Sequence, residues 1–544
     1  MDKRTITALA LMLVLYLVFD QFFWKPQRDR AAQAARQAQT ESTVASPTPD
    51  TLADDASLAA PVVLDSLVSS SAEATEIVLE NAKLRVGFST LGGTISFIQL
   101  KEFTNTDTAP LNLLPAGASL TGTELYHPAG TTDLKAMIFE AKQEEGTNAV
   151  VFYLGDAAKP QISKRFELDD LYGIQMDVKV DNMAAVNGLM LDFSAGIADS
   201  EKNIRAKAQD YRLMLFADNS INKVTLGKLK KNPPQGSIGS FTWAAIQTKY
   251  FTIALREVEP PLTRNFSGMI NPETGNPAFT LDSRQKDAKS TWQQSFTIYA
   301  GPSDAELLKG YGRQMERIAE RGAGWLRWLA RFFTWFLNWL HGYVRNYGVV
   351  IIIFALLLKI ILHPLTHKSM DASLKMQKIQ PQMQALQQKY KNDPKTLQIE
   401  MSKLYKEAGA NPLSGCLPLL LQMPIFFSLY NVLRYSLDMR NAGFMLWLKD
   451  LSEPDPYLIL PILMGVFMIV QSLMMQPKRG NIEEMDEKQR AAASSQKMMT
   501  WMMPIMMFFI FRSMPAGLVL YWTVFNIFSI IQQYILQKRH QNKE

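Results

Sequence analysis

The stretch GVVIIIFALLLKIILHPL, residues 348–365, decides the architecture of this 544-residue chain. It is long enough to cross the roughly 30 Å hydrocarbon core of a bilayer at about 1.5 Å per residue, and it carries one strong cation, Lys359. A charge at that depth costs at least about 2.5 kcal/mol and marks a cavity or a pathway. Four more apolar runs follow, at 413–433, 457–475, 498–512 and 517–536, and none contains an Asp or Glu. The spans therefore offer Lys359 no counterion, and its partner is expected to be water or a group arriving from outside.

Basic residues between the runs set the orientation. Segment 366–411 carries eight Lys and no Arg, and 476–497 carries Lys478, Arg479, Lys488, Arg490 and Lys497. The segments on the opposite side hold only Arg434, Arg440 and Lys449 in 434–456 and none in 513–516. An earlier apolar run, 6–23, follows Lys3 and Arg4 and lacks a small-residue cleavage site, so it reads as an uncleaved anchor. The fold class expected is thus a multi-pass α-helical membrane protein of six spans, with five of them forming the core and both termini cytoplasmic. A β-sandwich domain would lie on the periplasmic side of the inner membrane.

A mean hydropathy of −0.06 conceals two unlike halves. The net charge of +6 is concentrated in loops rather than spread as a nucleic-acid footprint, and the single cysteine, Cys416, excludes an intrachain disulfide and a cysteine-based metal site. Residues 1–24 form the anchor and 25–60 a polar tether. Residues 61–322 alternate with period two, as in Ile174, Met176, Val178 and Val180 or Leu84, Val86 and Phe88, which predicts an antiparallel sandwich. A closing helix over about 304–321 is expected, with Ser303 and Glu306 as a capping box. Residues 323–346 form an interfacial amphipathic helix. Arg327, Arg331, Thr334, Asn338 and His341 share one sector, while Trp325, Trp328, Phe332, Trp335, Phe336 and Trp339 cover the other side. The core, 347–536, includes a helical hairpin at 366–411 whose second helix opens at Asp393-Pro394, and 537–544 is a basic tail. The lysine-rich hairpin favours an anionic neighbour, either lipid headgroups or ribosomal RNA, although its apolar stripes also serve simply to join its two helices.

Depth along the spans groups the polar residues. Lys359 lies about two-thirds of the way toward the cytoplasmic end of its span; Gln422 falls at a similar depth, and Thr523, Asn526, Ser529 and Gln533 form a stripe on the last span. This predicts a wet pocket open to the cytoplasm, centred on Lys359, Gln422, Thr523, Asn526 and Ser529. The alternative is a snorkelling lysine among ordinary interhelical polar contacts. Nineteen of the 28 methionines lie beyond residue 366, suited to a surface that accepts many apolar partners.

The segments 411–418 (NPLSGCLP), 421–426 (LQMPIF), 460–465 (LPILMG), 515–521 (PAGLVLY) and 530–533 (IIQQ) resemble the YidC family of membrane protein insertases, in the form that carries a large periplasmic domain. The resemblance implies a membrane protein insertase and chaperone, without enzymatic activity or cofactor, working alone or beside the Sec translocon. Nascent membrane proteins would be its clients, with the ribosome and anionic lipid as further partners. It also implies a hydrophobic guide surface, which falls here on Met423, Phe427, Met503, Met506, Tyr521 and Trp522. Lys359 stands where the family usually has arginine, keeping the charge and losing the planar fork. Ala355 replaces a threonine one turn earlier. The family's periplasmic domain resembles sugar-mutarotase folds, yet His127 is the only histidine available there for acid–base chemistry. A serine hydrolase using Ser414 or Ser529 lacks any supporting motif. A transporter of small solutes or lipids remains the competing class, although no matched halves are visible.

Overall fold

The computed structural model describes residues 73–105, 109–128, 130–155, 161–181, 186–201, 203, 206–258, 264–322, 324–391, 393–409, 417–474 and 501–541. The anchor, the tether, the motif around Cys416 and the basic segment 476–497 lie outside them.

Among the described residues, 76–302 are built mainly from antiparallel β-strands. One sheet runs in spatial order through Ser220–Thr225 (β13), Arg212–Ala217 (β12), Phe241–Gln247 (β15), Phe251–Glu257 (β16), Trp292–Pro302 (β19), Gly173–Val180 (β10), Ile162–Leu168 (β9), Ala149–Leu154 (β8) and Glu140–Gln143 (β7). A second runs through Gln235–Ile238 (β14), Arg264–Ile270 (β17), Pro277–Lys289 (β18), Val186–Phe193 (β11), Gly122–His127 (β5) and Gly130–Asp133 (β6). A four-stranded sheet joins Glu76–Glu80 (β1), Leu84–Ser89 (β2), Thr94–Thr104 (β3) and Pro110–Asn112 (β4).

The alternation explains the burial. Ile174, Met176, Val178 and Val180 are buried on one face of β10, while Lys179 between them is exposed. The two larger sheets meet closely, for a Cβ on Gly268 of β17 would lie 2.5 Å from Leu213 of β12. One cation is enclosed with this core. Lys164 on β9 is fully buried, donates to Gly92 O at 2.6 Å and stands 5.2 Å from the Phe139 ring centre; burial pulls its ammonium down to about 7.

The helix that closes the domain is shorter than its pattern predicts. It spans Ala305–Gly310 (α3, after the short α1, Lys207–Asp210, and α2, Leu226–Leu229) and ends where Gly312, Arg313 and Gln314 all take positive φ. Its cap is Asp304, which accepts from Glu306 N and Leu307 N, and not Ser303, whose hydroxyl pairs with Thr252 at 2.7 Å.

Helix α4, Arg327–His341, has three faces rather than two. Trp328, 67% exposed, shares a bare aromatic face with Phe332, Trp335 and Trp339. Asn338 on the polar side donates to Asp438 at 2.9 Å, and Phe333 and Leu337 bury themselves in the helical core beside Phe354. Helix α5 is continuous over Tyr347–Lys389, through Pro364 and Pro381, so the first span and the first hairpin helix are one element. Each proline costs a ladder bond and a ring clash, together about 3 kcal/mol, which the strongly helix-forming Lys-, Gln-, Met- and Ala-rich sequence after Pro364 offsets. Helix α6, Pro394–Glu407, opens with Asp393 accepting from Thr396 N. The remaining helices are α7 (Leu417–Tyr435), α8 (Ile459–Met474), α9 (Trp501–Phe511) and α10 (Ala516–Gln541).

Among the described residues two helical stretches are long and apolar enough to cross a bilayer, Tyr347–Met376 and Ala516–Arg539; Ile459–Met474 and Trp501–Phe511 are apolar but shorter. The described helices thus fall short of the six spans expected from the sequence, and the first expected span lies outside the described residues.

Candidate functional site: a lysine held among membrane helices

Lys359 projects from α5 into the helical core and is only 5% exposed. Its Nζ donates to Ser529 Oγ on α10 at 2.7 Å and lies 4.4 Å from the centre of the Phe525 ring, one turn away on the same helix. Ser529 passes its own proton to Phe525 O at 2.8 Å, leaving the hydroxyl lone pairs for the ammonium. The two contacts satisfy a cation without neutralising it: a hydroxyl dipole on one side, a ring quadrupole on the other. No carboxylate lies within ion-pair distance of Lys359 among the described residues. The polar contacts hold the amine inward, in contrast to a snorkelling lysine that would carry it to the headgroups.

The other residues singled out in the sequence separate into groups. Gln422 on α7 donates to the Tyr521 hydroxyl at 2.9 Å, two turns along α10 from Ser529, so it forms a second polar rung rather than sharing the level of Lys359. Thr523 is buried and returns its hydroxyl to Val519 O of its own helix at 2.7 Å. Asn526 is buried with its Nδ2 unbonded among the described residues, as are Gln533 Oε1 and Ser428 Oγ. Buried amides of this kind bind ordered water or a ligand, because leaving them dry costs about 1–3 kcal/mol each. Ala355, one turn before Lys359 on α5, is fully buried and adds no polar group there.

Four of the residues expected to form the apolar guide surface, Met423 and Phe427 on α7 and Met503 and Met506 on α9, are exposed. Trp522 is half-buried between Phe426, 5.3 Å away, and Phe511, 5.4 Å away. Tyr521 corrects an expectation: it is fully buried and belongs to the polar rung with Gln422, not to the outward surface. Phe525, the ring beside the Lys359 ammonium, is a residue that sequence reasoning misses, although Tyr521, Phe525 and Ser529 recur every four residues and so share one face of a helix.

Comparison with known proteins adds the family. Residues 76–336 match the family model described as the YidC periplasmic domain, and 339–543 match that of the 60Kd inner membrane protein. A protein named membrane protein insertase YidC from Pelodictyon phaeoclathratiforme is 31% identical over 99% of this chain and 95% of its own length. Its namesake in Geobacter metallireducens is 30% identical over 99% of this chain and 98% of its own. A solved YidC insertase with its first transmembrane domain resolved covers 85% of this chain and 92% of its own at 20% identity, with a TM-score of 0.35. A galactose mutarotase-like protein from Lactobacillus casei covers 42% of this chain and all of its own, with a TM-score of 0.29. Both superpositions are loose, and the assignment rests on the sequence matches, which span almost the whole chain: it belongs to the YidC family of membrane protein insertases.

Proposed function

We propose that this membrane protein insertase receives a polar segment of a nascent membrane protein in the pocket around Lys359 and passes the adjoining apolar segment into lipid across Met423, Phe427, Met503 and Met506. It is an insertase and not an enzyme. The observation that carries the reading is the Lys359 ammonium, held among the helices by Ser529 and Phe525 and facing no carboxylate among the described residues. Asn526 and Gln533, with unbonded buried amide atoms, supply further polar contacts for a client or its water.

The topology that serves this mechanism has six spans, cytoplasmic termini and the β-rich domain in the periplasm, as the distribution of Lys and Arg supports. The aromatic face of α4 then rests in the outer interface, the lysines of 366–411 meet anionic lipid or the ribosome, and the protein works alone or beside the Sec translocon.

The test is depletion and rescue. Cells depleted of their own insertase receive this chain, and insertion of a small single-span client is scored by protease accessibility of its periplasmic tail. Rescue is expected; a client that stays inaccessible from the periplasm while this chain is present and folded would refute the reading.

A further inference from the structure

The β-rich domain meets the helical core at one end through paired charges. Arg434, in the last turn of α7, donates to Asp210 at 2.9 Å, and Lys249 pairs with Glu453 at 2.6 Å. The loop that carries Glu453 caps α10: Ala516 N donates to Glu453 O at 2.7 Å and Gly517 N to Leu451 O at 2.9 Å. A row of side chains that these contacts do not use crosses one face of the nine-stranded sheet. It runs through Phe216, Trp243, Arg256, Thr297, Gln175 and Glu167, each the cross-strand partner of the next.

The middle of this row is a chain of donors. Arg256 is half-buried and gives Nη2 to Thr297 Oγ1 at 2.8 Å. Thr297, fully buried, passes its own proton on to Gln175 Oε1 at 2.9 Å. With its oxygen bonded, Gln175 turns its amide N–H groups to whatever approaches. Arg256 Nε is enclosed and has no hydrogen-bond partner among the described residues. The carboxylates on this face are engaged elsewhere: Glu167 accepts from Arg165 at 2.7 Å and Asp177 from Ser295 at 2.5 Å.

A second cation is brought to the first. Trp243, next to Arg256 in the row, donates Nε1 to Arg313 O at 3.1 Å. Gly312, Arg313 and Gln314 take positive φ of 72°, 49° and 60° in succession, a backbone that arginine and glutamine rarely adopt. Gln247 Nε2 to Ile318 O at 3.2 Å and Lys223 Nζ to Arg317 O at 2.6 Å hold the turn that follows to the same sheet. Backbone pinned in sparse conformations gathers at ligand sites. The Arg313 side chain is exposed, and burial together with its charge holds the Arg256 guanidinium below the ordinary arginine range.

We propose that Arg256, Arg313 and Gln175 form an anion site on the β-rich domain that takes a phosphate monoester. The unspent groups of these three residues are all donors, so the ligand supplies acceptors. Two guanidinium charges match the roughly −1.5 to −2 that a phosphate monoester carries near neutral pH. A guanidinium fork holds two such oxygens at once, and partial burial strengthens the bonds. The site is separate from the Lys359 pocket, and the inference does not rest on the insertase reading.

The test is calorimetric titration of the full chain in a neutral detergent with inorganic phosphate, at an ionic strength fixed by chloride. The parent should bind phosphate saturably, and acetate at least about tenfold more weakly. Arg256→Met and Arg313→Asn should each weaken phosphate at least about tenfold, the effect of one lost charge-assisted bond; asparagine tolerates the positive φ. Gln175→Glu should abolish binding by replacing the outward amide with an anion. Lys289→Met, which removes an exposed cation from β18, should bind like the parent. Thermal unfolding of each variant without phosphate reports folding. Should Arg256→Met unfold the domain, Arg313→Asn decides, because that side chain is exposed. Binding of glycerol 3-phosphate would mark a free ester as the ligand. Competition with inorganic phosphate in phosphatidylcholine vesicles only when they carry phosphatidic acid would mark a lipid headgroup. A parent that takes phosphate no better than chloride, or folded Arg313→Asn and Gln175→Glu variants that bind like the parent, would overturn the site.

Discussion

Replacing Lys359 by methionine removes the charge and keeps most of the stem. In the parent the ammonium rests 2.7 Å from Ser529 Oγ and 4.4 Å from the Phe525 ring centre, partners that leave its full charge available to a client. A client carboxylate reaching to about 5 Å in a wet pocket of effective dielectric near 20 gains about 3 kcal/mol, or roughly two orders of magnitude in occupancy. Two clients that differ only by Glu or Gln in the translocated tail separate this term from general polarity. Time courses of tail accessibility in vesicles should show Lys359→Met slowing the Glu client up to about a hundredfold and the Gln client by less than about threefold. Lys359→Arg should preserve both, since it keeps the charge, and Lys359→Glu should stall the Glu client further. Equal slowing of both clients by Lys359→Met would refute the electrostatic argument, whatever the absolute rates.

Burial of Lys164 makes a stability prediction whose sign is fixed. Its folded ammonium titrates at about 7 against an ordinary value of 10.5, so this group's contribution to stability rises as pH climbs between those values and is smallest below 7. Lys164→Met should therefore be more stable than the parent at acidic pH by up to about 5 kcal/mol in denaturant unfolding, with the gap narrowing toward pH 10; a pH-independent gap would refute the assignment. Gly348→Val should lower the melting temperature of the helical core by an amount equivalent to about 1–3 kcal/mol, because a Cβ at Gly348 falls 2.0 Å from the Phe444 ring. Trp328→Ser with Trp335→Ser should reduce quenching of tryptophan fluorescence by lipids brominated near the headgroup, measured against the parent in the same vesicles; unchanged quenching would place α4 away from the interface.

The residues legible in the sequence share a property: their meaning lies in local period or in contrast with their neighbours. The alternation from Ile174 to Val180 marks a half-buried strand whatever it pairs with, and it is β10, between β19 and β9 inside the nine-stranded sheet. Lys359 and Ser529 stand out as polar residues in apolar helices, and the structure sets them against each other. Gln422 departs from the expected level because counting rise along a span fixes the height of a Cα and not the direction of a long side chain, which here turns to the Tyr521 hydroxyl. Asp304 was passed over for Ser303 because both are good caps one residue apart, and only the turn of the chain after β19 decides between them. Asp210 and Arg434 are 224 residues apart, and no periodicity connects an acid at the end of a four-residue helix to an arginine at the end of a span.

The backbone cap on α10 has a consequence for release. The amino end of a helix is ordinarily a sink for anions, since its first amides point outward unbonded. Here Ala516 and Gly517 spend theirs on Glu453 and Leu451, and Pro515 has none to offer. Under the proposed function, an acidic client segment that moved from Lys359 along α10 would find these two amides already occupied at the far end of that helix. Attraction would then stay at Lys359, with one anion trap fewer beyond it.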